Sequence, residues 1–263
     1  FSIGIVDPPD QFDLARLDFN NPPPAPWTLQ PSNPKLLDAL ARHFISSGYD
    51  VKALLREITN SQAYQFSSHY SGNWNPTWES TFGRHQVRRM WAEELHDAVV
   101  SATGIIPTYN VSGFSNASTY YGVDSPGFGP ISYALQLPDV KNEPDGGGAV
   151  SQFLDSFLRG DRDLTPRKSE GSILQALGLM NDNVIESRIK STTSGGTLNK
   201  LLNSGLSVNN LVTQLYLTVL SRYPTASELQ TAATYINTTP NANQAAEDVF
   251  WSLFNKVDFV FNY

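Results

Sequence analysis

The chain has 263 residues, of which 40% are hydrophobic, with a formal charge of −7 and no cysteine. Such a length can bury a sizeable core in one large domain or two small ones. The negative charge argues against a nucleic-acid partner, which needs a basic surface. Without cysteine these residues can hold no disulfide, iron–sulfur cluster, thiolate zinc site or covalent c-type haem.

The first 34 residues show no helical period. Residues 1–6 are apolar but have neither a charged n-region nor a cleavage-site pattern, so they do not form a signal peptide, and we expect the chain to begin inside a longer polypeptide. Residues 7–34 are rich in Pro, Asp and Asn, which predicts a loop. No apolar run approaches the ~20 residues of a membrane helix, so we expect a soluble protein without a membrane span.

Two amphipathic helices are predicted next. Asn33-Pro34 combines a cap residue with proline at the first helical position, and the apolar residues from Leu36 to Ile45 recur every three or four positions. A second helix is predicted from Asp50, with inward residues Val51, Leu54, Leu55 and Ile58. Each pattern indicates a helix with one buried face.

An aromatic-rich loop and a long helix follow Asn60. The helix is predicted to run from about Arg84 to Thr103 and to stop at Gly104. Its predicted inward positions are Val87, Met90, Trp91, Leu95, Ala98, Val99 and Ala102.

Residues 105–148 are rich in Gly, Pro, Ser and Tyr and lack a helical period, which predicts an ordered irregular excursion with room for a short β-hairpin. Helical periodicity returns at Ala149, and later helices are predicted to start at Thr165-Pro166, Ser207, Thr225 and Asn241. Thr225 and Glu228 have the capping-box spacing. The sequence therefore predicts an all-α fold of eight to ten helices. We expect a single domain over residues 1–263, with helical parts 1–104 and 149–263 around the irregular part.

Several blocks, in chain order, are similar to one family. They include residues 33–68, the helix Arg88-Arg-Met-Trp-Ala-Glu-Glu-Leu-His-Asp-Ala98, and residues 153–162, 175–181, 215–225 and 247–259. These blocks resemble the C-terminal domain of unknown function of the planctomycete-type cytochrome c proteins. Residues 163–170 depart from the family pattern, which often carries cysteines there.

The resemblance implies an extracytoplasmic bacterial protein, periplasmic or secreted, with a haem-binding segment upstream. It implies no cofactor in this chain, and other domains of the same polypeptide as its partners. It establishes no activity, and the sequence contains no Gly-x-Ser-x-Gly elbow and no phosphate loop. We therefore name no catalytic residue and expect a non-catalytic structural or interaction module.

An aromatic set is the best binding candidate in the sequence. It comprises Tyr70, Trp74 and Trp78 in the loop, with Tyr109, Tyr120 and Tyr121 in the excursion. Exposed rings can stack on sugars, whereas buried rings would cover the helical core. The alternative function is therefore a carbohydrate-binding or carbohydrate-processing module. A glycosidase would also need two facing carboxyl groups, roughly 5–10 Å apart.

A charged stripe is predicted on the long helix, where Arg89, Glu93 and Asp97 lie four residues apart. We expect these side chains to be partly buried in a ladder of ion pairs, joined by Arg159 or Arg162. A site for a polar ligand is the alternative.

Two motifs resemble metal or phosphate sites. Glu93 and His96 have the Glu-x-x-His spacing of di-iron bundles, but no second such pair occurs, so we predict no metal and a solvated helix face. Asp161-Arg-Asp163-Leu-Thr165 imitates a calcium loop and a phosphotransferase motif. Pro166 stands where a calcium loop needs glycine, so we predict a turn and a helix cap.

Overall fold

The computed structural model describes residue 5 and residues 33–85, 87–109, 119–120, 123–124, 131–137, 148–160 and 183–262. This part of the chain is mostly helical and contains little strand, which confirms the predicted fold class. None of its helices is both long and apolar enough to cross a membrane.

Ten α-helices and four two-residue strands lie in the described residues. The helices are α1 (Pro34–Ser46), α2 (Val51–Asn60), α3 (Ala92–Thr103), α4 (Ala149–Ser156), α5 (Asn183–Glu186), α6 (Thr197–Leu202), α7 (Val208–Leu220), α8 (Ala226–Thr238), α9 (Ala242–Phe254) and α10 (Val257–Val260). The strands are β1 (Arg88–Arg89), β2 (Thr119–Tyr120), β3 (Val123–Asp124) and β4 (Phe261–Asn262), and 3₁₀-helices span Pro76–Thr81 and Ala134–Gln136.

The chain divides into two compact units, which meet in the sequence between Arg88 and Arg89. In the first unit, α1 and α2 begin where the sequence predicts. Asn33 Oδ1 accepts the Leu36 N–H at 3.1 Å, and Asp50 Oδ1 accepts the Ala53 N–H at 3.0 Å. Each cap satisfies a backbone donor that the first turn leaves without a helical partner.

The predicted burial of these two helices is wrong, because neither contains a buried residue. Ile45, Val51 and Leu55 are 58%, 57% and 55% exposed. An amphipathic period predicts an apolar face but not what covers it. The two helices pack on each other, and no described residue buries the rest of their apolar faces.

The core of the second unit lies among α3, α4, α7, α8 and α9. Leu95, Phe153, Leu215 and Phe250 from four of these helices are fully buried, which is typical of helices that surround one core. The helix starts predicted at Ser207, Thr225 and Asn241 are confirmed, since each side chain accepts a first-turn N–H.

Helix α3 starts at Ala92, so the prediction of a helix from about Arg84 is wrong. The residues before it are extended: Arg89 lies in β1, which pairs with β4, and the Met90 N–H donates to Val260 O at 2.9 Å. The Trp91 N–H then donates to Glu94 Oε2 at 2.8 Å, which stabilises the first turn. Val87 and Trp91, predicted inward, are 48% and 37% exposed.

The described part of the 105–148 excursion contains no α-helix. Tyr109 and Ile131 exchange two backbone hydrogen bonds of 2.8 and 2.9 Å, and β2 pairs with β3 as an antiparallel hairpin, as predicted. The Asp161–Thr165 motif and the helix predicted from Thr165-Pro166 lie outside the described residues.

Candidate functional site

Three of the predicted aromatic residues form one cluster in the first unit. The ring centroids of Tyr70, Trp74 and Trp78 lie 5.6–5.9 Å apart in edge-to-face contacts. The Arg84 guanidinium lies 4.2 Å from the Trp74 centroid, which is cation–π distance. These contacts stabilise the loop after α2, and Tyr70 and Trp78 remain 43% and 40% exposed. The side chain of Tyr120 and all of Tyr121 lie outside the described residues.

A chain of polar side chains crosses the core of the second unit, and we call it the Asp–His–Tyr–Arg chain. His96 Nδ1 lies 2.8 Å from Asp97 Oδ1, and His96 Nε2 lies 3.1 Å from the Tyr109 hydroxyl oxygen. That oxygen accepts a hydrogen bond of 3.1 Å from Arg188. A neutral imidazole that donates from Nδ1 and accepts at Nε2 satisfies every group in this order.

Backbone groups complete the surroundings of Asp97. Its two oxygens accept the N–H groups of Ala134 and Leu135 at 2.6 and 3.0 Å, so the carboxylate caps the short 3₁₀-helix. The Asp–His–Tyr–Arg chain therefore connects α3 to Tyr109, to this 3₁₀-helix and to Arg188 beside α5.

The predicted solvated position of His96 is wrong, because the side chain is fully buried. The approach of α4 explains this burial, since the Phe153 ring lies 6.2 Å from the imidazole. Both ring nitrogens already have protein partners. In the described part of the chain, no group of three or more His, Cys, Asp or Glu residues is placed to hold a metal ion.

The charged stripe is buried as predicted, with Arg89, Glu93 and Asp97 exposed by 1%, 3% and 9%. Its geometry differs, because Arg89 precedes α3 and donates 3.2 Å hydrogen bonds to the carbonyl oxygens of Met90 and Phe157. The Phe157 carbonyl lies at the end of α4, where a cation is favourable.

Two described contacts concern the predicted partners of the stripe. Asp97 is bound by His96 and by backbone N–H groups, whereas Arg159 Nε donates to Asp155 Oδ1 at 2.6 Å. Arg162 lies outside the described residues. A pairing of Glu93 with the 159–162 turn stays a prediction.

An open groove of about 590 Å³ lies between α8 and α9, and we call it the α8–α9 groove. Helix α8 contributes Ser227, Glu228, Thr231 and Tyr235, whereas α9 contributes Asp248, Trp251 and Ser252. Tyr216 of α7, which is 4% exposed, and Lys256 also line it.

At one end of the groove lie ion pairs around Glu228. Its two oxygens accept hydrogen bonds of 2.9 Å from the two Arg222 Nη atoms, 2.8 Å from Lys256 Nζ and 2.9 Å from the Thr225 N–H. Arg222 also binds Asp258. The hydrogen bonds from Arg222 hold the pKa of Glu228 well below its usual range. The hydrogen bonds that Arg222 and Lys256 make to Glu228 raise the pKa of each of these two cations. Glu228 is therefore ionised at neutral pH, with its acceptor positions filled.

The other end of the groove carries Asp248. The Tyr235 hydroxyl donates to Asp248 Oδ2 at 2.7 Å, and Gln244 Nε2 donates to Oδ1 at 3.2 Å. The hydrogen bond to this carboxylate raises the pKa of Tyr235. No cationic side chain in the described residues lies within ion-pair distance of Asp248, so its charge is not compensated by the protein there.

Sequence reasoning missed this groove, although a local signal for it exists. Ser227, Thr231 and Tyr235 lie four residues apart on α8, and Asp248 and Ser252 follow the same spacing on α9, with Lys256 just beyond the end of that helix. Side chains at this spacing share one helix face. Two polar stripes on consecutive helices would have pointed to a shared groove.

The described residues are mostly helical, and the second unit carries a small polar groove. Residues 27–236 match the PSD1 family, described as proteins of unknown function (DUF1553). The match spans well over half of the chain, so the chain belongs to this family, the planctomycete cytochrome c-associated domain that the sequence blocks indicate. No curated protein and no solved structure matches the chain.

Proposed function

We propose that the chain is a non-catalytic interaction module of a secreted, haem-associated multidomain protein. Its partner is another domain of the same polypeptide, which covers the apolar surface around the α1–α2 connection. Membership of the cytochrome c-associated family supports this partner.

The observation that carries the proposal is the exposure of α1 and α2. Ile45, Tyr49, Val51 and Leu55, which we call the hairpin patch, are each more than half exposed. Val51 and Leu55 lie one turn apart on one face of α2. Covering apolar surface contributes about 25 cal/mol per Å², so grouped apolar side chains of this kind are typical of interaction surfaces.

The surroundings of His96 and Glu228, two side chains of types that often act in catalysis, support a non-catalytic role. His96 is fully buried, and both of its ring nitrogens are engaged. Glu228 accepts four hydrogen bonds and stays ionised, so it has no proton to donate at neutral pH. Each group is thus held by structural partners.

Charge substitution in the hairpin patch tests the proposal. In the chain alone, the Val51→Glu, Leu55→Glu double variant should change the free energy of unfolding by about 0.5 kcal/mol or less at each position, as is usual for exposed positions. The same variant should lose binding to a separately produced upstream domain of the longer polypeptide, measured by titration calorimetry. Ile106→Glu, at a position 62% exposed in the second unit, is the matched control and should bind normally.

Two results would contradict the proposal. A loss of several kcal/mol in the isolated double variant would show that the chain covers this face itself. Unchanged binding of the upstream domain by that variant would show that the partner docks elsewhere.

A further inference from the structure

We propose that the α8–α9 groove is a binding site for a neutral carbohydrate. The site lies wholly within the second unit and is independent of the hairpin patch. It also contains none of the residues of the aromatic cluster. The proposal therefore keeps the carbohydrate ligand that the sequence suggests but assigns it to different residues.

The size and rigidity of the groove suit a small ligand. Its volume of about 590 Å³ falls within the roughly 300–1,000 Å³ of typical small-molecule sites. Its walls are 13-residue helices with capped N-termini; Ala245 and Phe250 of α9 are fully buried, and Ile236 of α8 is 3% exposed. A ligand would therefore meet a largely pre-formed site, which lowers the ordering cost of binding.

The polar lining offers both donors and acceptors, as sugar hydroxyls require. Lys256 Nζ uses one of its three donors on Glu228. Asp248 accepts two hydrogen bonds and retains further lone pairs. The hydroxyls of Ser227 and Thr231 are exposed and have no protein partner in the described residues. This mixture suits a ligand whose every hydroxyl both donates and accepts.

Aromatic surface lines the same groove. Tyr235 is 44% exposed, and its hydrogen bond to Asp248 fixes the direction of its ring. Trp251 is half-buried against the core and lines the groove next to Ser252. Such rings offer the apolar surface on which the C–H face of a sugar can pack.

The charge distribution favours a neutral ligand. The charge of Lys256 is offset by Glu228, so the groove presents no uncompensated cation to an anionic ligand. The charge of Asp248 is uncompensated, but its carboxylate already accepts the Tyr235 hydroxyl and Gln244. A cationic ligand would also meet like charge at the other end of the groove, where Lys256 lies in the lining and Arg222 binds Glu228.

The test is nuclear magnetic resonance of the whole ¹⁵N-labelled chain, titrated with glucose, galactose, mannose, N-acetylglucosamine, cellobiose and xylobiose. At least one sugar should shift the Trp251 indole signal and the amides of residues 227–235 and 248–256. Trp251→Phe assigns the indole signal. Thr231→Val should weaken binding, whereas Thr234→Val, the same change on the same helix outside the groove, should not.

Asp248→Asn should raise the dissociation constant about tenfold, because it removes a charged acceptor but keeps the shape. Choline is the competing probe. Shifts of the groove signals with choline and with no sugar would overturn the proposal. Shifts in the groove with no member of the sugar panel, or sugar shifts confined to Trp74 and Trp78, would overturn it equally.

Discussion

At the residue scale, the Tyr109 hydroxyl holds the Asp–His–Tyr–Arg chain together. It contacts both His96 Nε2 and the Arg188 guanidinium at 3.1 Å. Tyr109→Phe removes a partner of the buried His96 and of the partly buried Arg188, so we expect a loss of about 1–3 kcal/mol in the free energy of unfolding. Tyr223→Phe, at a position 73% exposed, should change it by less than about 0.5 kcal/mol. Equal effects of the two variants in urea titrations would show that the Asp–His–Tyr–Arg chain does not stabilise the folded protein.

The Glu228 carboxylate gives a prediction about pH. Because its pKa is depressed in the folded state, its contribution to stability is present above the unfolded pKa of about 4.5 and is lost as the pH falls further. At pH 7, Glu228→Gln should therefore cost about 1–3 kcal/mol, and the difference from the parent should shrink below about pH 4.5. Glu57→Gln, which breaks an exposed pair with His43, should cost less than about 1 kcal/mol. A difference that stays constant down to acid pH would contradict the role of the ion pairs.

Glu93 tests whether a buried acid on α3 is paired. It is 3% exposed, so removal of its carboxylate should leave buried opposite charge without a partner. We expect Glu93→Ala to destabilise the protein by roughly 3–5 kcal/mol in chemical denaturation. Glu186→Ala, at an exposed position of α5, is the control. A cost for Glu93→Ala under about 1 kcal/mol would show that the ion-pair interpretation is wrong.

At the element scale, local chemistry predicts where most helices begin. The caps at Asn33, Asp50, Ser207, Thr225 and Asn241 all accept the N–H groups that their spacing predicts. The start of α3 could not be predicted, because the segment before it is extended and paired with β4 at the far end of the chain. Pairing with a strand that is distant in sequence therefore decides the backbone conformation here, although the local apolar period predicts a helix.

The end of α3 provides a prediction about one glycine. Gly104 has a φ of +67°, and a Cβ there would lie 2.8 Å from Thr197 Oγ1. Gly205 has a similar φ of +72° with nothing within 4 Å of its Cβ, so it measures backbone strain alone. Gly205→Ala should cost about 1 kcal/mol, and Gly104→Ala should cost about 1–3 kcal/mol more. Thr197→Ala should relieve part of that difference in the double variant, which calorimetric melting can measure. Equal costs at the two glycines would contradict the predicted clash.

At the scale of the whole molecule, the sequence predicts the fold class better than the sites. Helix periods and caps are local, whereas the Asp–His–Tyr–Arg chain includes a hydrogen bond between residues 79 positions apart. The groove ion pairs join Arg222 to Asp258 over 36 positions, and only Glu228 of that group has a local signal, its capping box. Apolar periods also predicted burial for α1 and α2, which depends on what packs against them.

The unequal burial of the helices predicts a gradient of local stability along the chain. Helices α1, α7, α8 and α9 each have 13 residues, so fraying at their ends should be similar. No residue of α1 is buried, whereas Leu215 of α7 and Phe250 of α9 are fully buried. Amides of α1 and α2 should therefore exchange with solvent through local opening, and those of α7–α9 only through opening on the scale of the whole unit.

Hydrogen–deuterium exchange by mass spectrometry measures this gradient. In the isolated chain, peptides from residues 34–60 should reach full exchange orders of magnitude faster than peptides from residues 208–254, since each 1.4 kcal/mol of opening free energy is about a tenfold rate difference. Addition of the upstream domain should slow exchange in residues 34–60 by covering the hairpin patch. Equal protection of both regions in the isolated chain would show that α1 and α2 are already covered. The proposed docking surface would then have to lie elsewhere on the molecule.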